Sequence, residues 1–561
     1  MRLYVAGKDD TFATISKHYR LDTELLHAAN PELPVHNSNL SGSVIRIPVA
    51  DLPLAPSTLF SCPPVDPMPY LDQWIPLTSL ADMAETEYDV LIIGSGMGGG
   101  AALWRLCEQW MHAGKRIAVV EKGGLLLQTH SWNVPTLNND RAGRLFANPA
   151  VSVPIGRTLP SFSGARELYA LGGRTQFWGL VSPRLQRFDM KDWPVSYEEM
   201  TKYYNIAEEV MNVSNAYSKD SSLTSELLHR LWQSGFPEAA GSPMAVDVDP
   251  TKYGEIHSAA AFSSIQFFAK ALNLAPFDLA VNANATRIVT QEGKVAGIEV
   301  SNPFKQTYFL KAKTVIVGTS ALQAPRLLLH SGIPGRAIGH YLANHSFVVT
   351  NGLIRTPAVT EVLGTLAILV PSTAERPYQV QIQGPGPYYW YHDTPKELHE
   401  EWGMNFFGGF GTVESRFENQ VYLDPARRDE YGVSQIGVSF AYSPKDKDII
   451  EQIKADIPRI AKAAGIQLTG QSGKPDLCLL APGADYHEFG TCRMGTDPLT
   501  SATDRYGQIH GISGLYVAGN SVLPHIGAAN PSLTAAAMAI RTADYIVQNT
   551  DIPQGSQGSA D

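Results

Sequence analysis

With 561 residues, 44% of them hydrophobic and 17% charged, the chain has the composition of a folded protein with room for several domain-sized cores. A formal net charge of −10 and the absence of any long basic block argue against nucleic acid or an anionic membrane as the main partner. Four cysteines, at 62, 107, 478 and 492, are too scattered for a disulfide framework, and no His/Cys spacing matches a zinc site, so no metal is expected. The first ten residues lack the apolar core of a signal peptide, and no stretch reaches the ~18 apolar residues of a membrane span. A cytoplasmic location is the expectation, unless a leader has been removed.

Residues 1–49 read as a separate unit. Leu3–Val5 forms a short strand, and Asp10-Thr11-Phe12 leads a helix with Phe12, Ile15 and Tyr19 on one face. A second helix covers Thr23–Ala29 before Asn30-Pro31, and Ser43–Pro48 closes the unit as a strand. This βααβ order, with its Asp-Thr, Asn-Pro and Ile-Pro landmarks, resembles a lysin-motif domain. The resemblance implies binding of N-acetylglucosamine polymers; a docking or oligomerisation module is the alternative. Residues 50–86 carry seven prolines between 53 and 76 and read as an extended linker.

Tyr88–Ile93 is an apolar run of strand length that enters Gly94-Ser95-Gly96-Met97-Gly98-Gly99 and then an Ala/Leu-rich helix over Ala101–Met111. A second strand, Arg116–Val120, ends at Glu121. Strand, glycines, helix, strand and acid in one register make a dinucleotide-binding βαβ unit. In it Gly94 permits the turn, Gly96 lets the backbone approach a pyrophosphate, Gly99 allows helix–strand packing, and Glu121 can accept ribose hydroxyls. A glycine-rich turn without nucleotide is the plain alternative.

Further on, Ala170-Leu-Gly172-Gly173-Arg-Thr175-Gln-Phe177-Trp178-Gly179 is glycine-rich and aromatic. It can lie along an isoalloxazine ring. Residues 190–275 read as helical, 277–290 and 294–300 as strands, and Lys313–Val317 as a buried strand before a helix over Gln323–His330. Residues 350–440 hold many β-like runs, and Asp446–Ala464 is helical. The strand Leu515–Val517 ends in Ala518-Gly519-Asn520-Ser521, suited to return to a pyrophosphate. With only one glycine fingerprint, these features favour FAD over NAD.

Two polar side chains sit in glycine-punctuated segments near the C-terminus: His487, before Glu488-Phe-Gly490-Thr-Cys-Arg-Met-Gly495, and Asn530, in Gly527-Ala-Ala-Asn530-Pro531-Ser-Leu-Thr534. A neutral imidazole can take a hydroxyl proton, and an amide can orient the oxygen. His487 can instead be a satisfied buried histidine. Asn530-Pro531 also reads as a helix start, with Asn530 as N-cap and Pro531 at N1.

Over residues 87–547 these stations occur in the order seen in the glucose–methanol–choline (GMC) oxidoreductases, which the chain resembles. The late segments most resemble pyranose oxidases and bacterial glycoside oxidases. The resemblance implies an α/β (α+β overall) architecture: a Rossmann-like FAD-binding domain from 87–190, 275–350 and 480–547, and a discontinuous, sheet-based substrate domain from 191–274 and 351–479. Residues 548–561 form a flexible tail. It implies His487 and Asn530 as the catalytic pair. FAD contacts are then Gly94, Ser95, Gly96, Gly98, Gly99, Glu121, Gly172, Gly173, Thr175, Phe177, Trp178, Ala285, Gly519, Asn520, Asn530 and Pro531. Some relatives tether the flavin through a histidine that falls on Phe177; phenylalanine cannot form that bond, so FAD is expected to be non-covalent. Gln381, Gln383 and Tyr389 match the substrate-loop region, although an aromatic surface strand explains the run equally well. His340 and His345 fall in a loop near the cofactor with no role assigned. His510 and His525 read as structural, His525 with a lesser claim to a place behind Asn530.

The expected activity is FAD-dependent oxidation of a secondary alcohol of a sugar or glycoside to a ketone, with oxygen or a quinone as electron acceptor. A sterol or other alcohol oxidase or dehydrogenase is the alternative within the family. A glycan-binding protein acting through residues 1–49 is the alternative outside it.

Overall fold

The computed structural model describes residues 2–34, 39–48, 74–134, 136–137, 139–216, 222–250, 256–355, 366–384, 401–469 and 476–550. The N-terminal unit is β1 (Arg2–Val5), α1 (Phe12–Tyr19), α2 (Thr23–Ala28) and β2 (Val44–Ile47), with the two strands antiparallel. Thr11 caps α1 in a reciprocal box with Thr14, and Asp22 caps α2. Phe12, Ile15, Leu26, Leu40, Ile45 and Ile47 form its own small core. Buried Asn30 ties the two halves together: its amide donates to the Leu26 and Arg46 carbonyls and accepts the Arg46 N–H.

This unit is fastened to the rest of the protein through an ion cluster. Arg105, almost wholly buried, forks onto Asp544 at 2.6 and 2.9 Å and also meets Glu108 at 2.6 Å. The Leu3 backbone completes the cluster: its N–H donates to Glu108 Oε1 at 2.7 Å and its C=O accepts from Arg105 Nη1 at 2.6 Å. Removing the cation leaves two buried carboxylates uncompensated. Arg105→Met should therefore cost ~3–5 kcal/mol in denaturant unfolding and loosen β1 toward protease. An unchanged unfolding midpoint would mean that the cluster does not hold the two parts together.

Residues 49–73 lie outside the described residues. The last part of the expected linker is not an extended tether. Leu80–Ala84 is a short helix (α3) capped by Ser79, with Ile75, Leu80 and Met83 in the main core, and the Thr78 N–H pairs with the Leu279 carbonyl. Apolar Ile75, Leu80 and Met83 remove more surface from water when packed than when extended.

Next come β3 (Glu87–Ile93), α4 (Met97–Gln109) and β4 (Ile117–Val120). They belong to a seven-stranded sheet in which Asp278–Ala280, β4, β3, Thr307–Val317 and Leu515–Val517 run parallel, extended by the antiparallel strands Lys294–Ser301 and Asn284–Gln291. Ile93 is level with Val120 and Val317, and Val317 with Val517, so four parallel strands stop on one line. A crevice outside the carboxyl ends of such strands is where open α/β sheets bind ligands. Helix α4, the C-terminal helix Ser532–Thr550 and the helix Tyr197–Met211 pack behind it.

A second, antiparallel seven-stranded sheet is built from Ser346–Arg355, Leu366–Val370, Tyr378–Gly384, Glu401–Gly411, Ile466–Thr469 and two short strands. One face packs on the helices Ser222–Gln233 and Pro444–Ala464 through Val380, Ile382, Ile453 and Ile457. The region 190–275, read as helical, is not so throughout: Met244–Pro250 and Ile256–Ala261 form an antiparallel pair joined by Val213–Ser214. Val246 and Val248 are β-branched and stand opposite Ala261 and Ala259, and this cross-strand pairing outweighs helix propensity. At the other end, the helix continues to Thr550, three residues into the expected tail, while 551–561 lie outside the described residues.

Candidate active site

The fingerprint glycines have distinct duties. Gly94 sits at φ +93°, and a Cβ on Gly99 would lie 2.0 Å from the Gly94 carbonyl oxygen. A Cβ on Gly98 would stand 2.7 Å from the Gly519 nitrogen, which brings the end of Leu515–Val517 against the turn. A Cβ on Gly96 would meet nothing within 4 Å: its free side faces a cavity at the N-terminus of α4. That end has no side-chain cap and no acidic residue in its first turn, a setting suited to an anion. The buried Thr319 hydroxyl on the same wall has no partner among the described residues.

The cavity has a volume of about 710 Å³, within the range of ~300–1,000 Å³ typical of ligand sites. Ser95 organises the glycine-rich part of the wall. Its N–H and Oγ–H donate to Glu121 Oε2 at 3.1 and 2.7 Å, and its Oγ accepts the Gly172 N–H at 2.8 Å. Glu121 Oε1 takes the Gly123 N–H at 2.8 Å. Both carboxylate oxygens thus already hold protein donors, and only their remaining lone pairs are open to a ribose. Burial raises the Glu121 pKa against those bonds. Ala285 lines the same cavity.

Gly172 and Gly173 take φ +90° and +55° into a tight turn over Gly173–Gln176. Thr175 serves the turn: its hydroxyl donates to the Gly172 carbonyl and accepts the Ser264 N–H. Phe177 and Trp178 line the cavity, with the Trp178 indole N–H held by the Phe262 carbonyl. Gly519 and Asn520 reach the wall from the far strand. Pro531 is buried but is not among the lining residues.

His487 and Asn530 meet on the wall of the same cavity, where His487 Nε2 lies 3.4 Å from Asn530 Nδ2. Asn530 does not cap a helix. The helix begins at Ser532, and Asn530 Oδ1 instead accepts from Gln379 Nε2 at 2.9 Å and Gln381 Nε2 at 2.6 Å. The capping expectation is thereby corrected: two buried amides compete for the oxygen and win. Gln379, Gln381 and Gln383 occupy one face of Tyr378–Gly384, while Tyr378, Val380 and Ile382 face the second core. Gln381 and Gln383 line the cavity, but Gln381 is engaged with Asn530. Tyr389 lies outside the described residues.

Two groups behind His487, His345 and Asp485, carry no role in the sequence reading. His345 Nδ1 is 3.0 Å from His487 Nδ1, and its Nε2 is 3.1 Å from the Gly527 carbonyl. Asp485 accepts the His345 N–H at 2.8 Å and the Asn344 amide at 3.0 Å, and one of its oxygens is 3.7 Å from His487 Nδ1. Tyr486 between them takes φ +58°, a left-handed backbone that turns Asp485 and His487 toward one site. Phe347 stacks on Phe410 at 4.2 Å beside the His487 ring. Burial first, with His345 and Arg174 close by, holds the His487 pKa well below the ordinary histidine value. Burial pushes the Asp485 carboxyl up to about 7. His345, Asp485 and His487 offer ligand atoms within 4.8 Å of one another, but the Nδ1–Nδ1 contact already uses the nitrogens a cation would need. His340 stacks on Phe417, His510 meets the Ser501 hydroxyl, and His525 accepts the Gly527 N–H, so these three hold local structure.

Of the missed groups, Gln379 was legible from the strict alternation in Tyr378-Gln-Val-Gln-Ile-Gln-Gly, and Asp485 stands two residues before His487. His345 carries no local signal.

Two family models, both described as GMC oxidoreductase, match residues 118–347 and 415–539. A C-glycoside 3-oxidase from Arthrobacter globiformis is 33% identical over 287 residues, 48% of this chain and 53% of that protein. The chain thus spans about half the length of that relative. A 2-methyl-1,2-propanediol dehydrogenase from Mycolicibacterium austroafricanum is 25% identical over 84% of this chain and 96% of its own length. A solved pyridoxine 4-oxidase from Mesorbium loti shares the fold with a TM-score of 0.59 at 14% identity, over 82% of this chain and 99% of that one. Among the described residues no helix is long and apolar enough to cross a membrane.

Proposed function

The chain belongs to the GMC oxidoreductase family, and on that footing we propose that it is an FAD-dependent enzyme oxidising a secondary alcohol of a sugar or glycoside to a ketone. One observation carries the reading. The polar pair, His487 Nε2 and Asn530 Nδ2, stands 3.4 Å apart on the wall of the same cavity that ends in the Gly96 cradle. The open cradle, the Thr319 hydroxyl with no partner among the described residues, and the aromatic wall fit a dinucleotide with a flat ring system. Gly96, the remaining lone pairs of Glu121, Gly173 and Phe177 would hold it. FAD bound there supplies an acceptor for the carbinol hydrogen as hydride.

The chain's own groups do the rest. His487 Nε2 takes the hydroxyl proton, which raises electron density on the oxygen and weakens the carbinol C–H bond. The Asn530 N–H donates to that oxygen and fixes which hydrogen faces the ring. The Phe347–Phe410 stack and Phe177 exclude water and offer apolar faces, while Gln383 adds a hydrogen-bonding edge. A wall of this kind suits a sugar ring, in line with the C-glycoside 3-oxidase relative.

The test is anaerobic bleaching of the flavin band by a panel of sugars, glycosides, sterols and short diols. Bleaching by sugars or glycosides is expected. Bleaching by a short diol alone would replace the sugar reading with one closer to the dehydrogenase relative. Phe177 lines the cavity where a tether would have to form, so acid precipitation should leave a colourless pellet and a yellow supernatant. A yellow pellet would disprove non-covalent binding. Reoxidation of the bleached protein by oxygen, compared with a quinone, identifies the electron acceptor.

A further inference from the structure

The hydrogen-bonding groups around His487 form a chain with unequal ends. The Gly527 carbonyl faces His345 Nε2 at 3.1 Å, the two Nδ1 atoms of His345 and His487 share a 3.0 Å contact, and His487 Nε2 faces Asn530 Nδ2 at 3.4 Å. Asn530 Oδ1 ends the chain on the Gln379 and Gln381 amides. Each imidazole has two neutral tautomers, and each amide can turn over, so the middle of the chain can be satisfied in either direction. The Gly527 carbonyl cannot reverse, because it only accepts.

From that end the rest follows. His345 must carry its hydrogen on Nε2, which leaves a lone pair at Nδ1. His487 must then place its hydrogen on Nδ1 to use that lone pair. Its bare Nε2 faces the Asn530 N–H and the cavity. Resting on the reading of His487 as proton acceptor, we infer that the Gly527 carbonyl, acting through His345, fixes His487 in the Nδ1–H tautomer and makes His345 a positioning residue. The opposite direction would set the His345 Nε2 lone pair against the carbonyl oxygen in a buried site.

Two further observations support this. Burial drives the His345 pKa down to about 3, so its ring stays neutral and keeps an accepting nitrogen for His487. The carbonyl is also held in place: Gly527 sits at φ +54°, where a Cβ would lie 2.3 Å from the Asp189 carboxylate, and its N–H is bonded to His525 at 2.9 Å. When the substrate O–H bond breaks and the Nε2–H bond forms, the new imidazolium keeps its Nδ1–H on His345. No group has to turn.

The tautomer can be read directly by nitrogen NMR of full-length, flavin-loaded protein labelled with 15N-histidine. Signals are assigned by their absence in His487→Gln and His345→Asn. Protonated Nδ1 and bare Nε2 on His487, with the reverse on His345, is the expected pattern; protonated Nε2 on His487 overturns the inference. In His345→Leu the Nδ1–H loses its acceptor. His487 should then populate the Nε2–H form, and flavin reduction should slow at least tenfold. His345→Asn, whose Oδ1 can still accept, should recover most of the rate. An unchanged tautomer in His345→Leu would give control to Asp485 and also overturn the inference. If no alcohol bleaches the wild type but the tautomers are as expected, the catalytic reading fails while the positioning of His487 stands.

Discussion

Replacing His487 by glutamine should slow flavin reduction by an alcohol substrate ~10²–10⁴-fold, the usual contribution of a positioned proton acceptor, or roughly 3–5 kcal/mol in the barrier. Bound flavin should remain, because the hydrogen bonds that shape the glycine cradle run through Ser95, Glu121, Gly123 and Gly172 and not through His487. Anaerobic stopped-flow bleaching measures the rate, and the visible spectrum measures the retained flavin. Reduction at the wild-type rate would remove His487 from the chemistry.

The pH dependence tests the same assignment from another side. A histidine of ordinary pKa near 6.5 would be only about one-quarter neutral at pH 6, so the rate would fall about fourfold from its alkaline value. Burial depresses the His487 pKa, so the ring stays neutral through this window, and its own protonation produces no such fall. Asp485 behaves oppositely: burial raises it to about 7, so it loses its negative charge as the pH drops through that value. That charge, 3.7 Å from His487 Nδ1, stabilises the imidazolium formed on proton uptake. Any decline of rate below pH 7 should therefore belong to Asp485 and vanish in Asp485→Asn. A decline that survives this substitution would return the titration to His487.

The second large effect separates two glycines only three residues apart. Gly99→Ala places a methyl group 2.0 Å from the Gly94 carbonyl oxygen, and the obstacle is backbone, so α4 must move off β3. The cost should exceed the ~1–3 kcal/mol of ordinary overpacking and appear in the protein stripped of flavin. Gly96→Ala meets no protein atom within 4 Å, so the stripped protein should unfold as the wild type does. Its methyl group enters the cavity instead, and flavin content should fall sharply. Unfolding curves and the flavin-to-protein absorbance ratio of both variants measure these effects. Equal flavin content in Gly96→Ala and the wild type would move the cofactor away from the cradle.

Much of the fold is legible in the residues because its signals are local. The run Tyr88–Ile93, the glycines after it and Val119-Val120-Glu121 announce a βαβ unit in which each glycine's duty follows from its spacing. The helices Tyr197–Met211 and Gln323–His330 begin and end where their apolar periods do. Misreadings arose where local and tertiary preferences part. Met244–Pro250 and Ile256–Ala261 pair as strands because each finds its partner in the other, which local helix propensity does not register. Asn530-Pro531 has the form of a helix start, yet the Asn530 side chain is taken by Gln379 and Gln381, about 150 residues away in sequence.

The chemical identity of the site, a histidine and an amide near a nucleotide fold, is thus written in the sequence through residue type and glycine spacing. Its working state is not. His345 lies 142 residues from His487 and 182 from Gly527, and no period or motif links positions so far apart. Only chain crossing brings them within hydrogen-bond distance. A tautomer depends on which partner cannot reverse its polarity, and here that partner is a backbone carbonyl, the same in every residue type and therefore silent in any sequence.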